Sequence, residues 1–177
     1  MPLRRAVFLD RDGVLNRCEV RDGKPYAPRY LRDFRLLPGA AAAVRDLKSA
    51  GLLVIVVTNQ PDIGNGLTGP ATVEAMHDKL RRAMPIDGVM MCPHRQEEGC
   101  SCRKPKPGML LNAAKTWKID LKKSFMVGDR WGDVVAGQAA GCYTLFVNRG
   151  YKEPRLATPD SYAKSLVSAT RIILSQI

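Results

Sequence analysis

Short, unbroken apolar runs alternate along the chain with segments whose apolar residues recur every three or four positions. The runs are Ala6–Leu9, Leu52–Val57, Gly88–Met91, Ser124–Val127 and Tyr143–Val147. A strand with one wet face alternates apolar with polar residues, so continuous runs of this length predict strands buried on both faces. Between them, Pro38-Gly39 introduces a predicted helix over Ala40–Ala50 that stops at Gly51. Thr68 is the expected cap of a helix reaching Met84, with Val73, Met76, His77 and Leu80 on one face. Pro107 suits the first position of a helix ending near Trp117, and Asp133–Ala140 reads as a helix closed by Gly141. Ser161 is the expected cap of a last helix running to about Ser175. Strands alternating with helices predict an α/β fold, a Rossmann-like three-layer sandwich around a mainly parallel sheet. Functional side chains of such folds gather beyond the carboxyl ends of the strands.

Length and composition narrow this picture. With 177 residues, 45% hydrophobic and 25% charged, the chain is expected to form one domain over residues 1–177 and to be ordered. Its longest apolar runs are too short to cross a bilayer, and the N-terminus lacks the pattern of a secretory signal. A cytoplasmic protein without membrane contact is therefore expected. Lys and Arg outnumber Asp and Glu, 28 to 17, giving a net charge of +11. The excess is spread along the chain, aromatic residues make up only 6%, and no nucleic-acid module is recognisable. A basic surface attracting phosphorylated small molecules fits better than a nucleic-acid partner, and a monomer is expected.

Candidate chemistry sits where the strands end. The first strand runs into Asp10-Arg11-Asp12-Gly13-Val14-Leu15-Asn16. Two carboxylates one residue apart can hold a divalent cation or act as nucleophile and proton donor. The second ends in Thr58-Asn59-Gln60, neutral donors suited to phosphate oxygens or to a turn. A third ends in Gly128-Asp129-Arg130-Trp131-Gly132-Asp133, where Asp129 is the better cation ligand and Asp133 also suits a helix N-terminus. A basic loop, Arg103-Lys104-Pro105-Lys106-Pro107, precedes a helix and offers phosphate-binding charges.

These four pieces, between about residue 5 and 150, resemble the four motifs of the haloacid dehalogenase (HAD) superfamily of phosphohydrolases, with Asp10-x-Asp12 as the first, Thr58 the second, Lys104 the third and Gly128-Asp129-x-x-x-Asp133 the fourth. The resemblance implies that Asp10 attacks phosphorus and carries an aspartyl-phosphate, while Asp12 acts as general acid and then general base. It implies that Thr58 and Lys104 hold the transferring group. Mg²⁺ would sit on Asp10, the Asp12 backbone carbonyl and Asp129. No inserted segment is large enough to be a separate cap domain.

Three of the five cysteines cluster with a histidine: Cys92, His94, Cys100 and Cys102. Three thiols and an imidazole suit a closed, structural zinc site, so residues 92–102 are read as a zinc loop; a loop of reduced buried thiols is the alternative. Cys-x-His followed by Cys-x-Cys-Arg-Lys-Pro-x-Pro-Gly-Met is similar to the D-glycero-D-manno-heptose 1,7-bisphosphate phosphatases and to the closely related histidinol-phosphate phosphatases. This resemblance implies a phosphorylated sugar substrate, with Arg103 and Arg130 contacting it and Asn59 and Gln60 serving the phosphate site. Histidinol phosphate and nucleic-acid 3′ ends are alternative substrates. A zinc-stabilised nucleic-acid-binding module without catalysis is the alternative of another class.

Overall fold

The computed structural model describes residues 2–177. Six parallel strands form one sheet in the spatial order β5-β4-β1-β6-β7-β8. They are β1 (Ala6–Leu9), β4 (Leu53–Asn59), β5 (Gly88–Cys92), β6 (Phe125–Gly128), β7 (Tyr143–Val147) and β8 (Ser161–Ala163). β1 lies in the middle, paired with β4 on one side and β6 on the other. The chain builds outward from β1 through β4 to β5, then crosses back to start β6. A crevice at the carboxyl ends follows from that reversal.

Strand residues alternate between two cores, which is why the runs are apolar throughout. Val7 and Leu9 of β1 join a core with Val44 and Leu47 of α1 (Ala40–Ser49) and Ile173 of α6 (Leu166–Leu174). Met76 and Leu80 of α3 (Pro70–Ala83) pack into the same core. Ala6 and Phe8 face the other way, onto Met109 and Ala113 of α4 (Gly108–Trp117) and Ala136 of α5 (Trp131–Ala140). The result is the three-layer α/β fold expected of a HAD-like chain, with no large cap among the described residues.

Several elements differ from expectation. A two-stranded hairpin, β2 (Glu19–Arg21) and β3 (Lys24–Tyr26), follows the first Asp pair, and a single turn, α2 (Pro61–Gly64), follows β4. Thr68 does not cap α3: its hydroxyl donates to the Arg29 carbonyl at 2.8 Å, and Pro70 opens the helix instead. Ser161 lies in the edge strand β8, and Ser165 caps α6 by accepting from the Ser168 backbone. Pro107 takes the position before α4 rather than its first turn. Among the described residues, no helix is long and apolar enough to cross a membrane.

Candidate active site

The carboxyl ends of β1, β4 and β6 bring Asp10, Thr58 and Asp129 together, with Lys104 and Asp133 closing the group. Asp10 is held in place by its backbone, whose N–H donates to Val127 of β6 at 2.9 Å. Lys104 is buried and spends all three ammonium protons: on Asp10 Oδ1 at 2.8 Å, Asp133 Oδ1 at 2.7 Å and the Val57 carbonyl at 2.7 Å. Its side chain is thereby a fixed positive charge, and the two carboxylates keep its pKa above the usual range despite burial. Asp133 also sits at the helix start expected for it: its other oxygen accepts from the Arg130 backbone N–H at 2.9 Å, capping α5.

Asp129 is the outlier. It is 1% exposed, yet among the described residues neither of its carboxylate oxygens accepts a hydrogen bond of good geometry, although the Tyr151 phenol bears on it. Burial, then the charges of Asp10 and Asp133, push its pKa well above the carboxylate range. Asp10 is raised to about 6 by burial, against the pull of Lys104 and with the added repulsion of Asp133 and Asp12. Three buried carboxylates facing one ammonium leave an excess of negative charge that water cannot screen. Oxygens of Asp10, Asp129 and Asp133 lie within 4.8 Å of one another. An all-oxygen donor set with orphaned lone pairs fits a hard divalent cation. Gly13 keeps this space open: with φ +84° it lies against Asp129, and any Cβ there would run into Asp129 Oδ2.

Asp12 does not join that cluster with its side chain. Its carboxylate accepts from Arg11 Nη2 at 3.0 and 3.1 Å, from Asn16 Nδ2 at 2.9 Å and from Gln60 Nε2 at 2.7 Å. Gln60 Nε2 also reaches Thr58 Oγ1 at 2.9 Å, so Gln60 ties the first two motifs together instead of presenting its amide protons outward. Asn59 forms a two-way clamp on the Lys104 backbone, accepting from its N–H at 3.1 Å and donating to its carbonyl at 3.0 Å. That clamp sets the ammonium's position. Arg103 has a buried Nη1 without a partner among the described residues, whereas Arg130 donates to Glu153 at 2.6 Å at the site's rim.

Cys92, His94, Cys100 and Cys102 converge at the end of β5, with four of the six donor pairs 3.2–3.5 Å apart and all within 4.8 Å. Four soft donors at such separations match the edges of a tetrahedral site with metal–sulfur bonds of about 2.3 Å. Cys92 pairs in register with Asn59, and Cys102 lies two residues before Lys104. The cluster therefore anchors both ends of the loop that delivers the lysine. Burial raises the Cys92 thiol to about 12, while the Arg103 and Cys102 backbone N–H groups and the neighbouring thiols outweigh burial at Cys100 and bring it to about 7.

Residues 148–155 were not singled out by the sequence. Arg149 Nε donates to the Gly13 carbonyl at 2.9 Å, and the Lys152 N–H to the Gly23 carbonyl at 2.8 Å. Burial and the nearby Asp129 charge hold the Tyr151 phenol well above its usual pKa. The segment straps the hairpin to the Asp cluster. Its Asn148-Arg149-Gly150-Tyr151 run has no periodicity, and only the polar residues following a buried strand hinted at it.

The HAD-hydrolase-like family matches residues 101–169. The D-glycero-beta-D-manno-heptose-1,7-bisphosphate 7-phosphatase of Rhodopseudomonas palustris is 41% identical over 155 residues, covering 79% of this chain and 81% of that protein. The D-glycero-alpha-D-manno-heptose-1,7-bisphosphate 7-phosphatase of Mycobacterium tuberculosis is 38% identical over 150 residues, or 78% and 77%. The crystal structure of D,D-heptose 1,7-bisphosphate phosphatase from B. bronchiseptica, complexed with magnesium and phosphate, superimposes with a TM-score of 0.86 at 31% identity, covering 98% of this chain and 99% of that one. The chain belongs to the HAD-like hydrolases, within the phosphatase family of these relatives.

Proposed function

We propose that this protein is a Mg²⁺-dependent phosphatase that removes the 7-phosphate of D-glycero-D-manno-heptose 1,7-bisphosphate, acting as a monomer in the cytoplasm. The observation carrying the reaction is the buried group of Asp10, Asp129, Asp133 and Lys104 at the carboxyl ends of β1, β4 and β6. Support for the substrate comes from the relatives above, which bear that name over about four-fifths of their length.

Lys104 occupies Asp10 Oδ1, which leaves the other oxygen to attack phosphorus. As the P–O ester bond breaks, Asp12 gives a proton to the leaving alcohol, and the phosphoryl group is carried on Asp10. Asp12 then takes a proton from the water that attacks this acyl phosphate, releasing inorganic phosphate and restoring the Asp10 carboxylate. Thr58, whose hydroxyl proton is free, donates to a phosphoryl oxygen, and the fixed charge of Lys104 offsets the negative charge of the group, with Arg103 and Arg130 available to the rest of the substrate. Mg²⁺, held by Asp10, the Asp12 carbonyl and Asp129, would supply charge neutralisation for the anionic ester. Zn²⁺ on Cys92, His94, Cys100 and Cys102 has a structural role, fixing the loop that carries Arg103 and Lys104.

Phosphate release with Mg²⁺ from heptose 1,7-bisphosphate, histidinol phosphate and a 3′-phosphorylated oligonucleotide tests the proposal. A strong preference for the bisphosphate, lost in Asp10→Asn, is expected. Preference for either other ester would overturn the substrate, and no release from any would overturn the reaction.

A further inference from the structure

Behind Asp12 lies a chain of polar groups that the reaction scheme does not use. Arg11, between the two aspartates, is 0% exposed, and His77 of α3 is 1% exposed. Arg11 grips the Asp12 carboxylate with Nε at 3.2 Å and with Nη2. Its remaining nitrogen, Nη1, lies 3.3 Å from His77 Nε2, with Met76 Sδ at 3.8 Å and the Phe34 ring 5.5 Å from the guanidinium carbon. His77 Nδ1 in turn lies 3.2 Å from Glu74 Oε2, and the other oxygen of Glu74 accepts from Arg81 at 2.6 Å near the surface.

The donor inventory fixes the direction of this chain. A guanidinium nitrogen can only donate, so His77 Nε2 must present a lone pair. The single imidazole proton then sits on Nδ1 and is donated to Glu74. Burial and the adjacent Arg11 charge favour this neutral form. An apolar residue at position 77 would leave the buried Nη1 facing only a thioether. The guanidinium would then be free to turn, and Asp12 would lose its fixed partner.

We infer that His77 is a positioning residue for catalysis: through its Nε2 lone pair it locks Arg11, and Arg11 holds the Asp12 carboxylate in register for proton transfer. The inference rests on Asp12 being the general acid. Transfer to an alkoxide leaving group depends on that acid, whereas p-nitrophenolate departs without a proton. The defect should therefore follow the leaving group, which a general loss of structure would not do.

The test compares kcat/KM for heptose 1,7-bisphosphate and for p-nitrophenyl phosphate in wild type, His77→Leu and His77→Gln, whose side-chain carbonyl can replace the acceptor. His77→Leu should lose about 10-fold or more on the sugar ester, a fraction of what a general acid supplies, and little on the aryl ester. His77→Gln should recover the sugar-ester rate. Equal losses on both esters, or no loss, would overturn the inference. The Asp10→Asn control tests the phosphatase reading separately. A readout independent of activity is the nitrogen NMR of the protein's two histidines. A neutral Nδ1–H form of His77 is expected, and an Nε2–H form would contradict the arrangement.

Discussion

At the scale of single residues, the site is organised around charge that cannot be left alone. Lys104 has a partner for each of its protons, but among the described residues both oxygens of buried Asp129 have none. Such a group raises the free energy of the folded protein unless a cation meets it. Gly13 is the residue that permits the meeting, since its positive φ and missing Cβ leave the Asp129 oxygens unobstructed. Gly13→Ala should therefore both strain the turn, by about 1–3 kcal/mol, and block the cation. Calorimetric titration should show Mg²⁺ binding lost in a protein that still folds; unchanged affinity would mean that the cation does not use this space. His77 carries a second residue-scale consequence. Its pKa is lowered by burial and by Arg11, so the unfolded chain binds its proton more readily than the folded one. The stability it contributes is complete above its ordinary value of 6.5 and is lost as pH falls below it.

Among the elements, the loop from Cys92 to Lys104 has the most to hold and the least regular structure with which to hold it. The four-donor cluster and the Asn59 clamp do that work together. Cys100→Ser should bind no zinc, in contrast to the wild type, and gain rapid hydrogen exchange between residues 92 and 105, while far-ultraviolet dichroism shows the sheet intact. Unchanged zinc content would remove the metal from the account. The sheet strands and their terminal polar residues were legible in the sequence because burial on both faces leaves a run without interruption, and any charge that follows is conspicuous. The hairpin β2–β3 was not, since Glu19, Val20 and Arg21 are all exposed and carry no alternation. Nor was β8, three residues long at a sheet edge, whose Ser161 imitates a helix cap. The Asp–Lys cluster could be assembled from motif order. The Arg11–His77 contact joins positions 66 apart in sequence, and only packing of α3 beneath β1 reveals it.

For the whole molecule, the doubly wound sheet gathers three buried carboxylates in one crevice even though the protein's net charge is +11. The crevice makes metal binding and pH interdependent. Asp10 is raised from 3.8 to about 6 on folding, so between these values the folded state binds more protons than the unfolded. Its contribution to metal-free stability therefore falls as pH rises through that window. Mg²⁺ requires the ionised carboxylates, and the increase in Tm on adding it should grow from pH 5 to pH 7.5. Taking the increment at each pH cancels the opposing effect of His77. An increment independent of pH would place the cation away from Asp10.

In the proposed mechanism Asp10 itself carries the phosphoryl group. Borohydride added during turnover reduces an acyl phosphate to an alcohol, converting the aspartate into homoserine. Mass spectrometry of the peptide containing residue 10 should show that conversion only when substrate and Mg²⁺ are both present. Rapid phosphate release with an unmodified Asp10 would mean that water attacks the ester directly, contradicting the mechanism.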